Sequence, residues 1–406
     1  MADGNSTTPD ARRGGEVPRS RPAQLARALL PVGAVLGTIS GLHLYIGSRL
    51  VGRAGLPLRA EVLGWAVLAA LFLNIPLSFY LRRRSREGFA RASQAVAHLW
   101  IGTFGILITV VLAADLARVL YGALVHGAFA SAAAAGRTEA VGIVGSVIPL
   151  VAWSVFTARG RARIERVKVP IANLPAGLEG LRIAQISDMH IGESLKGDFL
   201  ARVVAQVNAL GADLVTVTGD LVDGSVRELR EDVKPLAQLT APLGVFYVTG
   251  NHEYYWGAPS WEAEVRRLGL TVLHNEHRIV ERGGDRLVVG GVTDYNGASF
   301  GPAHASRPDL AFAGAPEGVP RVLLAHQPRS ATEAAKAGVA LQLSGHTHGG
   351  QIFPFNFFVR LQQPTVRGLD RVLGLWLYTH RGTGYWGPPM RLGPSPEIAE
   401  LTLTLA

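Results

Sequence analysis

The chain has 406 residues and no cysteine. This excludes disulfide bonds and thiolate metal ligands, so any metal site must use carboxylates, imidazoles or amides. The absence of cysteine fits oxidising and reducing compartments equally well, so it does not indicate on which side of a membrane the protein works.

Charged side chains are missing from four long stretches near the N-terminus. Residues 28–46, 62–81, 92–114 and 140–158 contain no Asp, Glu, Lys or Arg. Each stretch is long enough to cross about 30 Å of hydrocarbon as an α-helix, which rises about 1.5 Å per residue. Because a soluble core rarely contains four such helices in succession, we predict four transmembrane helices.

The composition divides the chain into four parts. We predict a disordered tail at 1–22, a membrane module with four helices at 23–160, a basic linker at 161–169 and a C-terminal domain at 170–406. The tail is polar and rich in Gly, Pro and Arg, so it cannot bury a core. Residues 119–136 are also uncharged, and a fifth span there would move the C-terminal domain across the membrane. This stretch is mostly Ala and Gly, and we favour four spans.

Arginine is concentrated before the first predicted span, after the second and after the fourth. Positive charge near span ends marks the cytoplasmic side, which predicts a multi-pass cell-membrane protein with both termini and the C-terminal domain in the cytoplasm. These arginines, together with attraction to anionic lipid headgroups, explain the net charge of +9. We therefore do not expect nucleic acid as a partner.

The C-terminal part alternates short apolar runs with segments of helical spacing. Buried strands are predicted at 181–186, 214–218, 245–249, 322–325 and 341–344, because each run is short, apolar and bounded by turn residues. Helices are predicted at 199–210 and 261–268. The pattern indicates an α/β domain built partly from βαβ units.

A polar motif follows each of these five predicted strands. The motifs are Asp188-Met-His190, Gly219-Asp220, Gly250-Asn251-His252-Glu253, His326 and Gly345-His346-Thr347-His348. Ligands bind in the loops at the carboxyl ends of strands in α/β sheets, so we expect the motifs to meet at one edge of the sheet. The carboxylate, imidazole and amide side chains of these motifs are too many for one tetrahedral site, but they suit two metals.

These motifs resemble the signature of the calcineurin-like metallophosphoesterase superfamily, which is Asp-x-His, Gly-Asp-x-x-Asp, Gly-Asn-His-Asp/Glu, a later His and Gly-His-x-His. Asp223 completes the second block and Glu253 closes the third. The segments LRIAQISDMHIG, HTHGGQ and RGTGYWGPPMRLGPSPEI are similar to those of membrane-associated bacterial phosphodiesterases in this superfamily. The resemblance covers about residues 170–406 and implies two packed β-sheets flanked by helices.

The resemblance also implies a role for each motif residue. It assigns ligands to a first metal, a second metal and a bridge between them, which are respectively Asp188, His190 and His348; Asn251, His326 and His346; and Asp220. A bridging carboxylate holds two cations within about 4 Å, where a shared water loses a proton near neutral pH. The donor types suit Mn, Fe or Zn, and we favour Mn by analogy.

His252 is not expected to bind metal. Its position next to Asn251 allows it to stabilise developing charge or to protonate the leaving oxygen. Asp223 is expected to orient a ligand imidazole, and the alternative is a plain turn carboxylate. The remaining histidines, His274, His277, His304 and His380, are interpreted as surface or loop residues.

We therefore predict a membrane-anchored two-metal phosphohydrolase that prefers phosphodiesters. Its partners would be a phosphoester substrate, for which a phospholipid is a candidate, and membrane lipids. Two alternatives stay open at this point: a phosphatase acting on phosphoproteins or nucleotides, and an inactive membrane sensor or scaffold.

Two further features bear on the substrate. The aromatic stretch 352–359 is either packed in the core or exposed at the bilayer surface. Four arginines are candidates for bidentate contacts with phosphate oxygens, and they are Arg360, Arg367, Arg381 and Arg391.

Overall fold

The computed structural model describes residues 21–82, 84–85, 88–124 and 132–406. The predicted disordered tail lies outside these residues, except that its last two residues begin the first helix. Helices and strands are numbered separately in chain order.

Four long apolar helices occupy the N-terminal part: α1 (Arg21–Gly47), α2 (Leu58–Arg82), α3 (Gly88–Leu124) and α4 (Ala132–Arg159). Each is long and apolar enough to cross a membrane, so the prediction of four helices is confirmed. Residues 119–124 of the alternative fifth span continue α3, and 132–136 belong to α4. Residues 125–131 lie outside the described part of the chain.

Polar side chains tie these helices together at two levels. Within the bundle, the Trp100 indole donates a hydrogen bond of 3.1 Å to His43, whose ring stacks on Phe104. Near the C-terminal end of α3, the buried Arg49 donates to both Asp115 and Glu139. Because a buried charge is costly unless it is paired, this second cluster ties the end of α1 to α3 and α4.

The first sheet has six strands in the order β1-β12-β2-β3-β4-β5. Their bounds are β1 Arg163–Ile171, β2 Arg182–Ile186, β3 Leu214–Thr218, β4 Val245–Val248, β5 Thr271–Val272 and β12 Glu397–Leu405. The sheet is parallel except where β12 meets β2. The expected linker at 161–169 is wrong, because residues 163–169 form most of β1. This strand pairs along its whole length with β12, a partner more than 200 residues away.

The second sheet has the order β10-β11-β9-β8-β7-β6. Its strands are β6 Glu276–Arg282, β7 Asp285–Gly291, β8 Arg321–Leu324, β9 Leu341–Ser344, β10 Gly368–Val372 and β11 Leu375–Thr379. The five motif-bearing strands are therefore shared between two sheets, and the single sheet edge that their spacing predicted is wrong. The two-sheet architecture implied by the family resemblance is confirmed.

Apolar side chains fill the space between the sheets. Ile183 and Leu214 from the first sheet share one buried cluster with Val289 and Leu343 from the second. The seven helices of this domain are α5 Gly197–Asn208, α6 Val226–Val233, α7 Asn251–Trp256, α8 Ala258–Arg267, α9 Pro308–Ala311, α10 Ala331–Lys336 and α11 Phe355–Val359. Helices α5, α6 and α8 pack on the outer face of the first sheet, and α9 and α10 pack on that of the second. In α5, the buried positions 200, 203, 204 and 207 form one helical face.

The membrane helices and the two-sheet domain share a core. Ile352 and Met390 of the domain belong to the same buried cluster as Trp100 and Ile106 of α3. Gly102 makes the close approach feasible, since a Cβ atom there would lie 2.3 Å from the Met390 sulfur. The Arg391 backbone N–H also donates a 2.9 Å hydrogen bond to the Ser154 carbonyl of α4. The domain is thus packed against the bundle by direct contacts.

The aromatic stretch 352–359 forms α11 and the turn before it. Phe357 and Phe358 are each 60% exposed, and Phe353 and Phe355 are about half exposed. Packing in the core is therefore wrong for most of this stretch, although Ile352 is buried. The Phe355 ring lies against Gly105 of α3, so the exposed rings adjoin a membrane-spanning helix.

Candidate metal centre

The five motifs meet where the two sheets adjoin. β2, β3 and β4 end two or three residues before Asp188, Asp220 and Asn251, while β8 and β9 end two residues before His326 and His346. β2, β3 and β4 are parallel in the first sheet, and β8 and β9 are parallel in the second, so each set has its carboxyl ends at one edge of its sheet. The motifs bring together a cluster of possible metal ligands, which are Asp188, His190, Asp220, His252, His326, His346 and His348. Asn251 directly precedes His252 in the chain.

Asp220 lies at the centre of the cluster. Its Oδ2 atom is 3.2 Å from Nε2 of His326, 3.8 Å from Nε2 of His190 and 3.9 Å from Nε2 of His252. These histidines come from three different motifs. One carboxylate oxygen therefore faces histidines from three different motif loops.

The possible ligand atoms fall into overlapping groups. Those of Asp188, His190 and His348 lie within 4.8 Å of one another, as do those of Asp220, His326 and His346. A third group joins Asp220 to His190 and His252. The first group is the set predicted for the first metal, and the second contains Asp220 with His326 and His346 of the second predicted position. Asn251, the other ligand predicted there, is in none of the three groups, and Asp220 belongs to the second and third.

Several donor atoms in the cluster are buried without a hydrogen-bond partner among the described residues. Two are Oδ2 of Asp188 and Oδ1 of Asn251, and a third is Nε2 of His326, whose contact is the 3.2 Å approach to Oδ2 of Asp220 without hydrogen-bond geometry. Because buried polar atoms are normally satisfied, such a group of orphans indicates that a further partner belongs there. All three atoms are of the types that bind divalent transition metals.

Ring spacing also fits a metal. Nε2 of His190 and Nε2 of His348 face each other at 3.1 Å. Two nitrogens that bind the same cation at about 2.1 Å, with a right angle between the two bonds, lie about 3 Å apart. The residues present thus fit a metal by spacing and by donor chemistry.

Hydrogen bonds to the opposite ring nitrogens orient these imidazoles. Nδ1 of His190 lies 3.2 Å from Oδ1 of Asp223, and Nδ1 of His326 lies 2.8 Å from the Thr218 carbonyl. An Nδ1–H that donates to such an acceptor leaves Nε2 with its lone pair free for a metal. Asp223 also accepts from His252, so the expectation that it orients an imidazole agrees with its contacts.

The backbone around the cluster is strained. Five motif residues have φ between +47° and +70°, and they are Asp188, His190, Asp220, His346 and His348. Non-glycine residues in this left-handed region cost about 1–3 kcal/mol each and cluster at functional sites. Gly250 and Gly345 allow the loops to close in, since a Cβ atom on either would lie 2.2 Å from a carboxylate oxygen, of Asp220 and Asp188 respectively.

Burial and charge shift the pKa values in the cluster. Burial lowers the pKa of His346 to about 3 and lowers that of His348 strongly, which favours neutral imidazoles. Burial would raise the pKa of Asp220, but His326 and His252 hold it well below its usual range. Burial likewise opposes the charged form of His252, yet Asp220 and Asp223 raise its pKa to about 9.

Glu253 has a structural task that its motif did not reveal. Its fully buried carboxylate accepts from the backbone N–H groups of Asp220, Leu221 and Gly250 at 3.0, 2.7 and 2.6 Å. It thereby clamps two motif loops to each other. A carboxylate at the third residue of a short helix is a capping signal, and this signal identifies the contact with Gly250 but not those with the other loop.

Two other residues differ from their sequence interpretation. His380 is fully buried, because it directly follows β11 and its N–H pairs with Ser344 at the end of β9. Arg391 is also fully buried, and its guanidinium donates to the carbonyls of Arg381, Gly382 and Gly384. Arg391 holds the loop that packs on Asp188, and its buried guanidinium is already bonded to carbonyls, so it is not available to bind phosphate.

The other candidate arginines differ among themselves. Arg381 is engaged by Glu165 and Glu397. Arg360 and Arg367 line a separate cavity of about 450 Å³ beside α11. None of the four arginines lines the cavity at His252.

Comparison with known proteins identifies the class as metallophosphoesterase. The family model described as calcineurin-like phosphoesterase matches residues 181–350. A metallophosphoesterase of Aquifex aeolicus is 35% identical over 243 residues, which cover 59% of this chain and 91% of that protein. The chain belongs to the calcineurin-like phosphoesterase family.

A second relative is named as a transmembrane protein. The "Transmembrane protein with metallophosphoesterase domain" of Danio rerio is 36% identical over 265 residues, covering 63% of this chain and 61% of that protein. The match thus spans about three fifths of that relative's length. Among solved structures, the NAD nucleotidase of Haemophilus influenzae has 17% identity and a TM-score of 0.37, with half of each chain covered.

Proposed function

We propose that this protein is a membrane-anchored, binuclear-metal phosphohydrolase that cleaves phosphodiesters. The observation that carries the proposal is the position of Asp220, whose Oδ2 atom faces histidines of three motifs within 3.9 Å. A shared carboxylate between two ligand groups is the arrangement that two-metal phosphoester hydrolysis requires.

The proposed ligand set follows the groups of donor atoms. One ion would be held by Asp188, His190 and His348, a second by Asn251, His326 and His346, and both by Asp220. The unpartnered Asn251 oxygen supports its inclusion. Manganese is the favoured ion, with iron and zinc as alternatives, because imidazole and carboxylate donors suit all three.

Two bound cations would supply Lewis acidity at the phosphoryl oxygens and lower the pKa of water at the site. The protein's own part is to hold and move a proton. Because Nδ1 of His252 is 2.5 Å from Asp223, this nitrogen donates to the carboxylate, and Nε2 is left facing Asp220. We propose that Nε2 protonates the leaving oxygen.

Preference for a diester is supported by the surroundings of His252. Among the described residues that line the cavity there, Arg82 supplies the one Lys or Arg side chain. A phosphate monoester carries nearly two negative charges at neutral pH because its second pKa is about 6, whereas a diester carries one. A site with little positive charge beyond its metals suits the diester, and a phospholipid is the favoured substrate.

The proposed location is the cell membrane, with the catalytic domain in the cytoplasm. Arg82, at the end of α2, contacts the domain at the Asp223 carbonyl and at Glu193, so the arginine-rich ends of α2 and α3 lie on the domain's side. Positive charge marks the cytoplasmic face. Reporter fusions at the C-terminus would test this orientation, and activity of an exported reporter alone would contradict it.

The function is tested with the full-length protein purified in detergent and loaded with Mn²⁺. We expect hydrolysis of bis-p-nitrophenyl phosphate to exceed that of p-nitrophenyl phosphate, and Asp220→Asn to abolish both. Asp309→Asn, at a surface ion pair with Arg307, is the matched control and should retain both activities. Cleavage of the monoester alone would replace the diester proposal, and two bound metals without any hydrolysis would favour a sensor.

A further inference from the structure

A cavity of about 660 Å³ lies between the membrane helices and His252. On α3 its wall is formed by Gln94, His98 and Ile101, which lie on one helical face because they are spaced four and three residues apart. Phe79 and Arg82 extend this wall along α2. The volume is within the range of about 300–1,000 Å³ typical of small-molecule sites.

The opposite wall belongs to the catalytic domain and is aromatic. His252 lies in edge contact with Tyr255 and Trp386, at centroid distances of 5.3 and 5.6 Å. Trp256 and Pro388 complete this side. Gln351 fixes the Trp386 loop, since its side chain both donates to the Trp386 carbonyl and accepts from its N–H. The aromatic wall is therefore held in place next to the proposed proton donor.

The cavity is lined by both polar and apolar side chains. Arg82 bonds to the Asp223 carbonyl at 3.4 Å and lies 3.5 Å from Glu193. Phe79 and Trp386 also line the cavity and are each 55% exposed. Because Phe79 belongs to a helix that is long and apolar enough to span a membrane, apolar surface continues from that helix into the cavity beside His252.

We propose that the membrane helices form one wall of the substrate site, and that the site takes a phospholipid with its acyl part between Ile101, Phe79 and Trp386. The phosphodiester would lie at the metal cluster, where water attacks phosphorus and one P–O ester bond breaks. The leaving oxygen takes the Nε2 proton of His252 and departs as an alcohol, the proton lost by the attacking water restores His252, and a phosphomonoester is released. This inference rests on the proposed phosphodiesterase function and its favoured phospholipid substrate, and it adds where the acyl part binds and which residues select it.

The test compares a lipid with a water-soluble diester on the same protein. Full-length Mn²⁺-loaded protein is assayed with phosphatidylglycerol in mixed micelles and with bis-p-nitrophenyl phosphate, and kcat/KM is measured for each. Ile101→Trp fills the cavity, and we expect the ratio of lipid to soluble turnover to fall about tenfold or more. Leu112→Trp, on an exposed position of the same helix, should leave the ratio unchanged.

A second pair of variants covers the case in which the larger side chain disturbs α3. Phe79→Ala removes the ring from the cavity and should raise the KM for the lipid about tenfold. Leu73→Ala, an exposed position on α2, is its control. A Tm measured for each variant reports whether it is folded.

The outcomes separate the two proposals. Without bis-p-nitrophenyl phosphate hydrolysis by the wild type, the proposed function itself fails. If that hydrolysis is present but no phospholipid is cleaved, or if the cavity variants leave the ratio unaltered, only the lipid site is overturned. Cleavage of thymidine 5′-p-nitrophenyl phosphate that is selectively lost in Ile101→Trp would also overturn it, because the aromatic wall would then hold a base.

Discussion

Nδ1 of His252 lies 2.5 Å from Oδ1 of Asp223, and the same oxygen lies 3.2 Å from Nδ1 of His190. One carboxylate thus orients the proposed proton donor and a proposed metal ligand. Asp223 also connects these residues to the membrane helices, because its backbone carbonyl accepts a hydrogen bond from Arg82 of α2.

Replacing this carboxylate should affect metal binding and turnover together. Asp223→Asn keeps an oxygen acceptor but removes the negative charge, so the hydrogen bonds from both imidazoles become weaker. We expect about 10–100-fold weaker Mn²⁺ binding, as is typical when a residue supporting a metal ligand is changed, and a lower kcat at saturating Mn²⁺. Metal titration and steady-state kinetics would measure the two effects. Unaltered Mn²⁺ affinity would contradict the orienting role for His190.

Metal content should depend on Asp220 more than on any single histidine. The wild type should retain two Mn²⁺ per chain after gel filtration, and Asp220→Asn should retain fewer than one because both sites lose a shared donor. Inductively coupled plasma mass spectrometry provides the count, with Asp309→Asn as control. Chelation should abolish activity in the wild type, and added Mn²⁺ should restore it. Two retained ions in Asp220→Asn would rule out the bridging position.

Glu253 should matter for stability. In Glu253→Gln, one oxygen replaces two, and the new amide N–H₂ faces backbone donors, so buried N–H groups lose their acceptor. The expected loss is about 2–4 kcal/mol, since an unsatisfied buried group costs about 1–3 kcal/mol. Thermal unfolding in detergent should show a Tm several degrees lower, whereas Glu281→Gln on the surface of β6 should not. Equal Tm values for the two variants would refute the clamp.

A pH-dependent contribution to stability is expected from His274. Its Nδ1 lies 2.8 Å from Glu262, and this hydrogen bond raises the His274 pKa above its ordinary value. The stabilisation is therefore complete below about pH 6.5, the unfolded value, and is lost as pH rises through the raised folded-state pKa. The Tm difference between wild type and His274→Gln should be larger at about pH 5.5 than at about pH 8.5. A difference independent of pH would contradict the ion pair.

The strands that carry the motifs could be predicted because their signal is local. β3 and β9 begin and end at the predicted residues, since short apolar runs bounded by Gly or polar turns leave little choice of register. Their division into two sheets could not be predicted from spacing, because it depends on which strands pair. The membership of β1 in the first sheet depends on β12 at the other end of the chain.

The same distinction applies to the site. Asp188 and His326 could be identified because a recognisable motif follows each strand. The interpretation of His380 as a surface or loop residue is wrong because Leu375–Thr379 forms the strand β11, whose end brings His380 beside Ser344. The contact between Ile101 and the cavity at His252 carries no sequence signal at all. An apolar residue in a predicted span looks the same whether it faces lipid, another helix or a substrate.

The packing of Met390 on Gly102 has a consequence for the membrane itself. Since the two-sheet domain is joined to α3 by a buried core, the height of the candidate metal ligands relative to the bilayer depends on that contact. Helices respond to a thicker or thinner bilayer by tilting or by local deformation of the lipid, and here such a tilt would carry the candidate ligands with it. We therefore expect the rate of the proposed hydrolysis to depend on bilayer thickness, and hence on lipid chain length, without any change to the site residues.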